Sequence, residues 1–248
     1  MGLYKDFRDN PNRMVDKWMH YFPVYEKHFG RFVNQSVNFW EIGVCMGGSV
    51  QMWDRYFGPF AQIIGIDILP ECKQFENGNI HIEIGDQKDT EFLEFLVDKY
   101  GPPDIVLDDG SHIMSDACQT FDFLYPKVSK NGVYMVEDMH TAYMSGIYEG
   151  GLKEPGSFIE KSKDLVDSMN RFSGLPTAFA DTIFEIAFYE SIVCFEKIKW
   201  HNNFRSLHTA GNFNITTTNE NIWGNVVGTA TTHAPGGMAT LETVPIKP

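Results

Sequence analysis

Apolar and polar positions follow two distinct rhythms along this chain. Five short apolar runs end on acids: "VNFWEIG" at 37–43, "QIIGIDI" at 62–68, "IHIEIGD" at 80–86, "DIVLDD" at 104–109 and "GVYMVED" at 132–138. Between them, over 49–57, 89–100 and 114–127, apolar residues recur every three to four positions, the period of a helix. Strands alternating with helices of this length predict right-handed βαβ units, and so an α/β fold on a mostly parallel sheet. A helix is expected over 157–172, followed by two more strands at 183–190 and 191–200. These would pair as an antiparallel C-terminal hairpin and bring the sheet to seven strands.

Upstream, Met14, Trp18, Tyr21, Phe22, Tyr25 and Phe29 recur at helical spacing with Pro23 among them. The pattern predicts two short helices in an N-terminal segment over 1–35, interrupted at Pro23 and serving as a lid or a dimer contact. A homo-oligomer is expected on that basis. From about Asn202 the composition turns to Asn, Thr, Gly and Ala, which predicts a weakly ordered arm over 202–248. The main domain then occupies 36–201.

In open α/β sheets, ligands bind in the crevice outside the carboxyl ends of the strands. Glu41, Asp67, Asp86, Asp108, Asp109, Glu137 and Asp138 therefore gather at one rim. The first turn, "EIGVCMGGS" at 41–49, supplies glycines that let the backbone bend sharply and approach a ligand. Its spacing is not the G-x-G-x-x-G of dinucleotide sites, and Glu41 suits a cationic ligand better than a pyrophosphate. S-adenosylmethionine fits: it carries an ammonium, a sulfonium and a ribose diol, and no phosphate. Asp67 is placed to accept the ribose hydroxyls and Asp86 the adenine amino group. The expected cofactor contacts are thus Glu41, Gly43, Gly47, Ser49, Asp67, Asp86 and Asp108. The plainer alternative is that each acid only caps the helix that follows it.

The adjacent carboxylates of "VLDDGSH" at 106–112 repel each other, which a bound cation would relieve. Asp109, Glu137 and Asp138 converge from neighbouring strand ends and form a ligand set for a hard divalent cation such as Mg²⁺. His112, three residues past Asp109, is expected as the general base for a substrate hydroxyl whose pKa the metal lowers. The plainer alternative makes "DDGSH" a capped turn and "ED" a solvated loop start.

Charge and cysteine usage remove several classes of partner. A net charge of −13 and a pI near 5.0 argue against nucleic acid and anionic membranes. No apolar run approaches the roughly 20 residues of a membrane span, and the polar start gives no expectation of a secretion signal. Cys45, Cys72, Cys118 and Cys194 are scattered without CxxC spacing, as in a reduced cytoplasmic protein without structural zinc.

The stretches "EIGVCMGGSVQMW", "IVLDDGSHIMSD" and "VYMVEDMHTAYMSGIYEGG" resemble the Mg²⁺-dependent sugar O-methyltransferases of macrolide biosynthesis, the mycinamicin VI 2''-O-methyltransferase group. The resemblance covers about 37–200 and extends to rhamnosyl O-methyltransferases and the cephalosporin-hydroxylase-like group. It implies a Rossmann-like class I methyltransferase fold and methyl transfer from S-adenosylmethionine to a hydroxyl of a sugar or glycosylated small molecule. It also implies Asp109, Glu137 and Asp138 as metal ligands and His112 as the base. His140, Thr141 and Tyr143 directly follow the metal pair and are expected to line the acceptor pocket. That family carries a sizeable N-terminal auxiliary domain involved in assembly, whereas about 35 residues precede the first strand here. A catechol-like diol would suit the same geometry, and an inert binding protein would keep the same fold; the turn spacing disfavours a nicotinamide enzyme.

Overall fold

The acid-tipped apolar runs form the strands that their pattern predicts. A computed structural model describes residues 2–11, 13–169, 179, 182–197, 213–217 and 228–232. Strands β1 (Asn38–Ile42), β2 (Gln62–Asp67), β3 (Ile80–Ile84), β4 (Ile105–Asp108) and β5 (Val133–Val136) are mutually parallel. β6 (Ile183–Tyr189) and β7 (Ile192–Lys197) form an antiparallel hairpin, and β7 also runs antiparallel to β5. The order across the seven-stranded sheet is β3-β2-β1-β4-β5-β7-β6. The order reverses between β1 and β4, and the crevice above that switch point is where ligands bind in this architecture.

Helices α3 (Gly48–Phe57), α4 (Thr90–Tyr100) and α5 (Met114–Leu124) cover the parallel part, and α6 (Phe158–Met169) precedes the hairpin. α4 starts where Asp89 caps it, its side chain accepting from the amides of Glu91 and Phe92. α5 ends earlier than its apolar period suggests because Pro126 cannot continue an α-helix, and Tyr125–Lys127 form a 3₁₀ turn instead. The expected end of the helix at 157–172 lies outside the described residues. The chain forms two compact units, Met1–Lys199 and Trp200–Pro248. In the second, β8 (Phe213–Thr217) pairs antiparallel with β9 (Gly228–Thr232); the remainder of the expected arm lies outside the described residues.

The N-terminal segment departs from its predicted form. A helix not expected from the pattern, α1, spans Leu3–Arg8, and α2 spans Phe22–Phe29. Pro23 does not interrupt a helix: it lies in the first turn of α2, where its missing N–H costs nothing. Residues 14–18 are not helical; they run as a strap across the start of α3. Contact there is so close that a Cβ on Gly48 would fall 1.9 Å from the Met14 carbonyl oxygen. The segment is built into the core, where Tyr25 and Phe29 pack with Phe39, Trp53 and Phe57 on one face of the sheet. Trp40 packs on the opposite face with Leu93, Phe121 and Tyr134. Trp40, Trp53 and Phe57 are core residues, each fully buried.

Candidate active site

Two cavities meet at the carboxyl ends of β1 and β2. The first, of about 390 Å³, lies between the strap and the strand ends and is lined by Gly43, Ser49, Asp67, Asp109, His112 and Asp138, among others. The second, of about 330 Å³, is lined by Gly43, Asp67, Asp86, Gln87 and Ser111. Gly43 and Asp67 border both. Gly43 has φ +93°, and a Cβ there would fall 2.0 Å from the Asp109 carbonyl oxygen, so only glycine lets the β1 turn pass β4 this closely. Gly47 turns into α3 at φ +71° against the Phe75 ring.

Asp67 orders the turn that it faces. Its Oδ2 accepts from the amides of Val44 at 2.8 Å and Cys45 at 3.0 Å, and Oδ1 from Leu69 at 2.9 Å. A carboxylate offers about four lone-pair sites, so Asp67 can still accept a ligand hydroxyl. Asp86 accepts from the Lys88 amide at 2.9 Å and borders the second cavity.

Two acids expected at the cofactor face inward instead. Glu41 is fully buried and accepts from Ser49 Oγ at 2.8 Å and Trp53 Nε1 at 3.1 Å. Burial pushes its carboxyl up to about 7, against the pull of the Lys17 charge. Asp108 is also buried, accepting from Gln87 Nε2 and Tyr134 Oη at 3.3 Å each. Burial raises it to about 7 as well, opposed by the Gly110 amide and these side-chain donors. Neither borders either cavity. Their role here is to fix the turns on which the cavity-facing residues stand.

Above β4 and β5 the acids divide. One oxygen each from Asp109 and Asp138 and one ring nitrogen of His112 lie within 4.8 Å of one another, a grouping able to hold a metal ion. His112 Nε2 stands 3.9 Å from Asp109 Oδ1 and 3.8 Å from Asp138 Oδ2, too far for hydrogen bonds, and all three atoms face the gap. His112 has φ +58° and Asp138 φ +53°, left-handed conformations in which Asp and His are enriched over other non-glycine residues, and these aim both side chains at the gap. Glu137, expected in the same group, lines the same cavity but stands outside this cluster of three. Its side chain is 1% exposed, Oε2 meets Lys17 Nζ at 2.7 Å, and Oε1 accepts from the Tyr25 hydroxyl.

The N-terminal segment thus reaches every acid of this group, which the sequence reading missed. Lys17 Nζ also donates to Asp109 Oδ2 at 2.5 Å, and the Tyr21 hydroxyl to Asp138 Oδ1 at 2.6 Å. Burial pulls the Lys17 ammonium down, but the charges of Asp109, Glu137 and Glu41 outweigh it and hold the pKa well above the usual lysine value. The spacing 17, 21, 25 is no cue to this, because Lys17 lies in the non-helical strap and Tyr21 in a 3₁₀ turn before α2.

A third cavity, of about 490 Å³, lies beside the metal-capable group and is lined by Trp18, His140, Tyr143, Phe188, Tyr189 and Ser191, among others. His140 Nδ1 lies 2.7 Å from Ser191 Oγ, and its ring packs 5.6 Å from Trp18. Thr141, expected at an acceptor pocket with His140 and Tyr143, is buried and donates to the Asp138 carbonyl at 2.7 Å, so it shapes the turn after the acid instead.

No family model matches the chain. The mycinamicin VI 2''-O-methyltransferase of Micromonospora griseorubida is 40% identical over 164 residues, which are 61% of this chain and 40% of the relative. The demethylmacrocin O-methyltransferase of Streptomyces fradiae is 35% identical over 204 residues, 74% of this chain and 51% of the relative. The chain therefore spans about half the length of the curated relatives it matches, or less. The solved MycE methyltransferase in complex with Mg, SAH and mycinamycin VI superposes with a TM-score of 0.72 at 32% identity, over 80% of this chain and 54% of that one. The seven-stranded, mostly parallel sheet with its antiparallel hairpin is the Rossmann-like class I methyltransferase fold. Over the stretch matched, this chain is a homologue of the sugar O-methyltransferases of natural-product biosynthesis.

Proposed function

We propose that this chain transfers a methyl group from S-adenosylmethionine to a hydroxyl of a sugar or glycosylated small molecule, with a divalent cation such as Mg²⁺. One observation carries the reading: Asp109, Asp138 and His112 converge at the edge of the cavity that the β1 turn and Asp67 line. The residues fit the implied groups. Asp67 borders both cavities, as a ribose acceptor between a methionine half and an adenine half would. Carboxylate oxygens facing a gap suit a hard cation, and Mg²⁺, when bound, would lower the pKa of an acceptor hydroxyl and help to orient it.

The chain's own residues supply the rest. With cofactor and acceptor bound, His112 would take the proton of the acceptor hydroxyl as the methyl group passes from the cofactor's sulfur to that oxygen. Trp18, Tyr143 and Phe188 give the third cavity apolar faces suited to a sugar ring, with His140 and Ser191 as polar handles. Self-association belongs to this reading, supported by the exposed Ile147 and Leu152. A reducing, cytoplasmic setting is supported by four free cysteines, and among the described residues no helix is long and apolar enough to cross a membrane. The test is transfer of labelled methyl to a panel of glycosides. Transfer that stops with EDTA and returns with Mg²⁺ is expected; full turnover in metal-free buffer refutes the metal.

A further inference from the structure

Ser191 decides which ring nitrogen of His140 carries the hydrogen. With Glu190 it makes the two-residue turn between β6 and β7, at φ +64°, and it is docked on the turn after Asp138. Its carbonyl accepts from the Met139 amide at 2.9 Å, and its Oγ accepts from the His140 amide at 3.1 Å. The same Oγ lies 2.7 Å from His140 Nδ1. A serine hydroxyl has one hydrogen and two lone pairs. The His140 amide takes a lone pair, and among the described residues the only acceptor within reach of the hydroxyl hydrogen is Nδ1. Asp138 Oδ1 stands 3.9 Å from Nδ1, beyond hydrogen-bond reach, and takes the Tyr21 hydroxyl at 2.6 Å. Nδ1 therefore accepts, and the hydrogen of the neutral ring lies on Nε2. Nε2 has no hydrogen-bond partner among the described residues, on a side chain that is 37% exposed and lines the third cavity with Trp18 and Tyr143.

We infer that His140 is a fixed hydrogen-bond donor of the acceptor site: Ser191 locks the hydrogen on Nε2, and Nε2–H grips an oxygen of the acceptor other than the one methylated. Ser191 is the positioning residue, and His140 is the one that touches the acceptor. With Nδ1 occupied and no lone pair on Nε2, His140 takes no proton, which leaves that step to His112. The donor also discriminates. An acceptor that lacks this oxygen leaves it unpaired, and one with an ammonium there sets N–H against N–H. This inference rests on the sugar-acceptor reading above.

NMR of the full chain carrying ¹⁵N-histidine tests the lock without any acceptor. In mildly alkaline buffer the His140 ring should show its bonded hydrogen on Nε2 alone. Ser191→Gly keeps the left-handed backbone and should give a mixture of both forms. A hydrogen on Nδ1 in the parent, or no change in Ser191→Gly, overturns the proposal. The grip is read on the glycoside of the panel that the parent methylates fastest. His140→Leu should raise its KM at least about tenfold while kcat falls less than about threefold. His140→Gln, whose amide can donate from the place of Nε2, should hold the rise in KM to about threefold or less. Equal losses of KM in the two variants overturn the donor, and a kcat lost about a hundredfold in both overturns it by making His140 the base. A parent that methylates no glycoside overturns the proposed function and the grip with it; the place of the hydrogen on the ring is read independently, so the two failures are told apart.

Discussion

Replacing Gly48 with alanine sets two effects of opposite sign against each other. Gly48 is the first residue of α3 and its φ is not in the left-handed region, so by helix propensity alone alanine would stabilise by up to about 1 kcal/mol. The strap reverses that sign. The new methyl would fall 1.9 Å from the Met14 carbonyl oxygen, 2.5 Å from its carbon and 2.6 Å from Val15 Cγ2. Reaching ordinary contact at 3.4 Å moves the strap by about 1.5 Å (3.4 − 1.9). Overpacking of this kind costs about 1–3 kcal/mol. The displaced strap also carries Lys17 three residues on, whose contacts at 2.5 and 2.7 Å cannot stretch that far, so a buried ion pair is strained as well. With the ion-pair strain offsetting the propensity gain, a net loss of about 1–3 kcal/mol follows, which in a chain of 248 residues lowers Tm by about 2–12 °C. Melting of Gly48→Ala by circular dichroism measures it. An unchanged or higher Tm would refute the packing of the strap onto α3.

Three further outcomes are expected. His112→Asn, chosen because asparagine tolerates the left-handed backbone at this position, should bind S-adenosylhomocysteine and Mn²⁺ while kcat falls about 10²- to 10⁴-fold; calorimetry beside turnover checks it, and an unchanged kcat removes His112 as the base. Tyr143→Ala should raise KM for the acceptor at least about tenfold with little change in Kd for S-adenosylmethionine, because Tyr143 lines the third cavity and neither of the first two; an equal loss for both substrates would count against that cavity as the acceptor site. Glu41 ionises near 7 in the folded chain against 4.5 ordinarily, so the fold binds its proton more tightly than the unfolded chain does. The stability this contributes is complete below about pH 4.5 and is lost as pH rises through 7, up to about 3 kcal/mol in all. Glu41→Gln should therefore melt progressively higher than the parent from pH 5 to pH 8, and parallel curves would refute the assignment.

The sheet was readable because each strand's apolar run is closed by acids that a buried strand cannot continue through, and the helices between have an unambiguous period. Which acids face the ligand was harder to read. Side chains on a strand alternate between faces, so Asp108 turns toward Gln87 and Tyr134 while Asp109 turns toward Lys17. Alternation alone would send Asp138 away from Asp109, but its left-handed backbone brings it back, and no residue type at 138 announces that. Lys17 was invisible for another reason. A single lysine in a polar stretch reads as solvated, and its burial is decided by Asp109 and Glu137, which lie 92 and 120 positions downstream. Pro23 was misjudged because a proline in the first turn and one within a helix leave the same mark in the pattern.

The strap has a consequence for how the chain matures. On the ribosome Lys17 emerges before the sheet, its second partner, Glu137, is 120 residues behind it, and Tyr21 and Tyr25 wait 117 and 112 residues for theirs. At about 5–20 residues per second, the segment spends on the order of ten seconds with its lysine and tyrosines unsatisfied. Contacts of such long sequence separation form late, after the loop-closure entropy has been offset by the sheet. The acid cluster is therefore assembled last, by a segment made before the sheet, and a nascent chain released before β5 has no site to close.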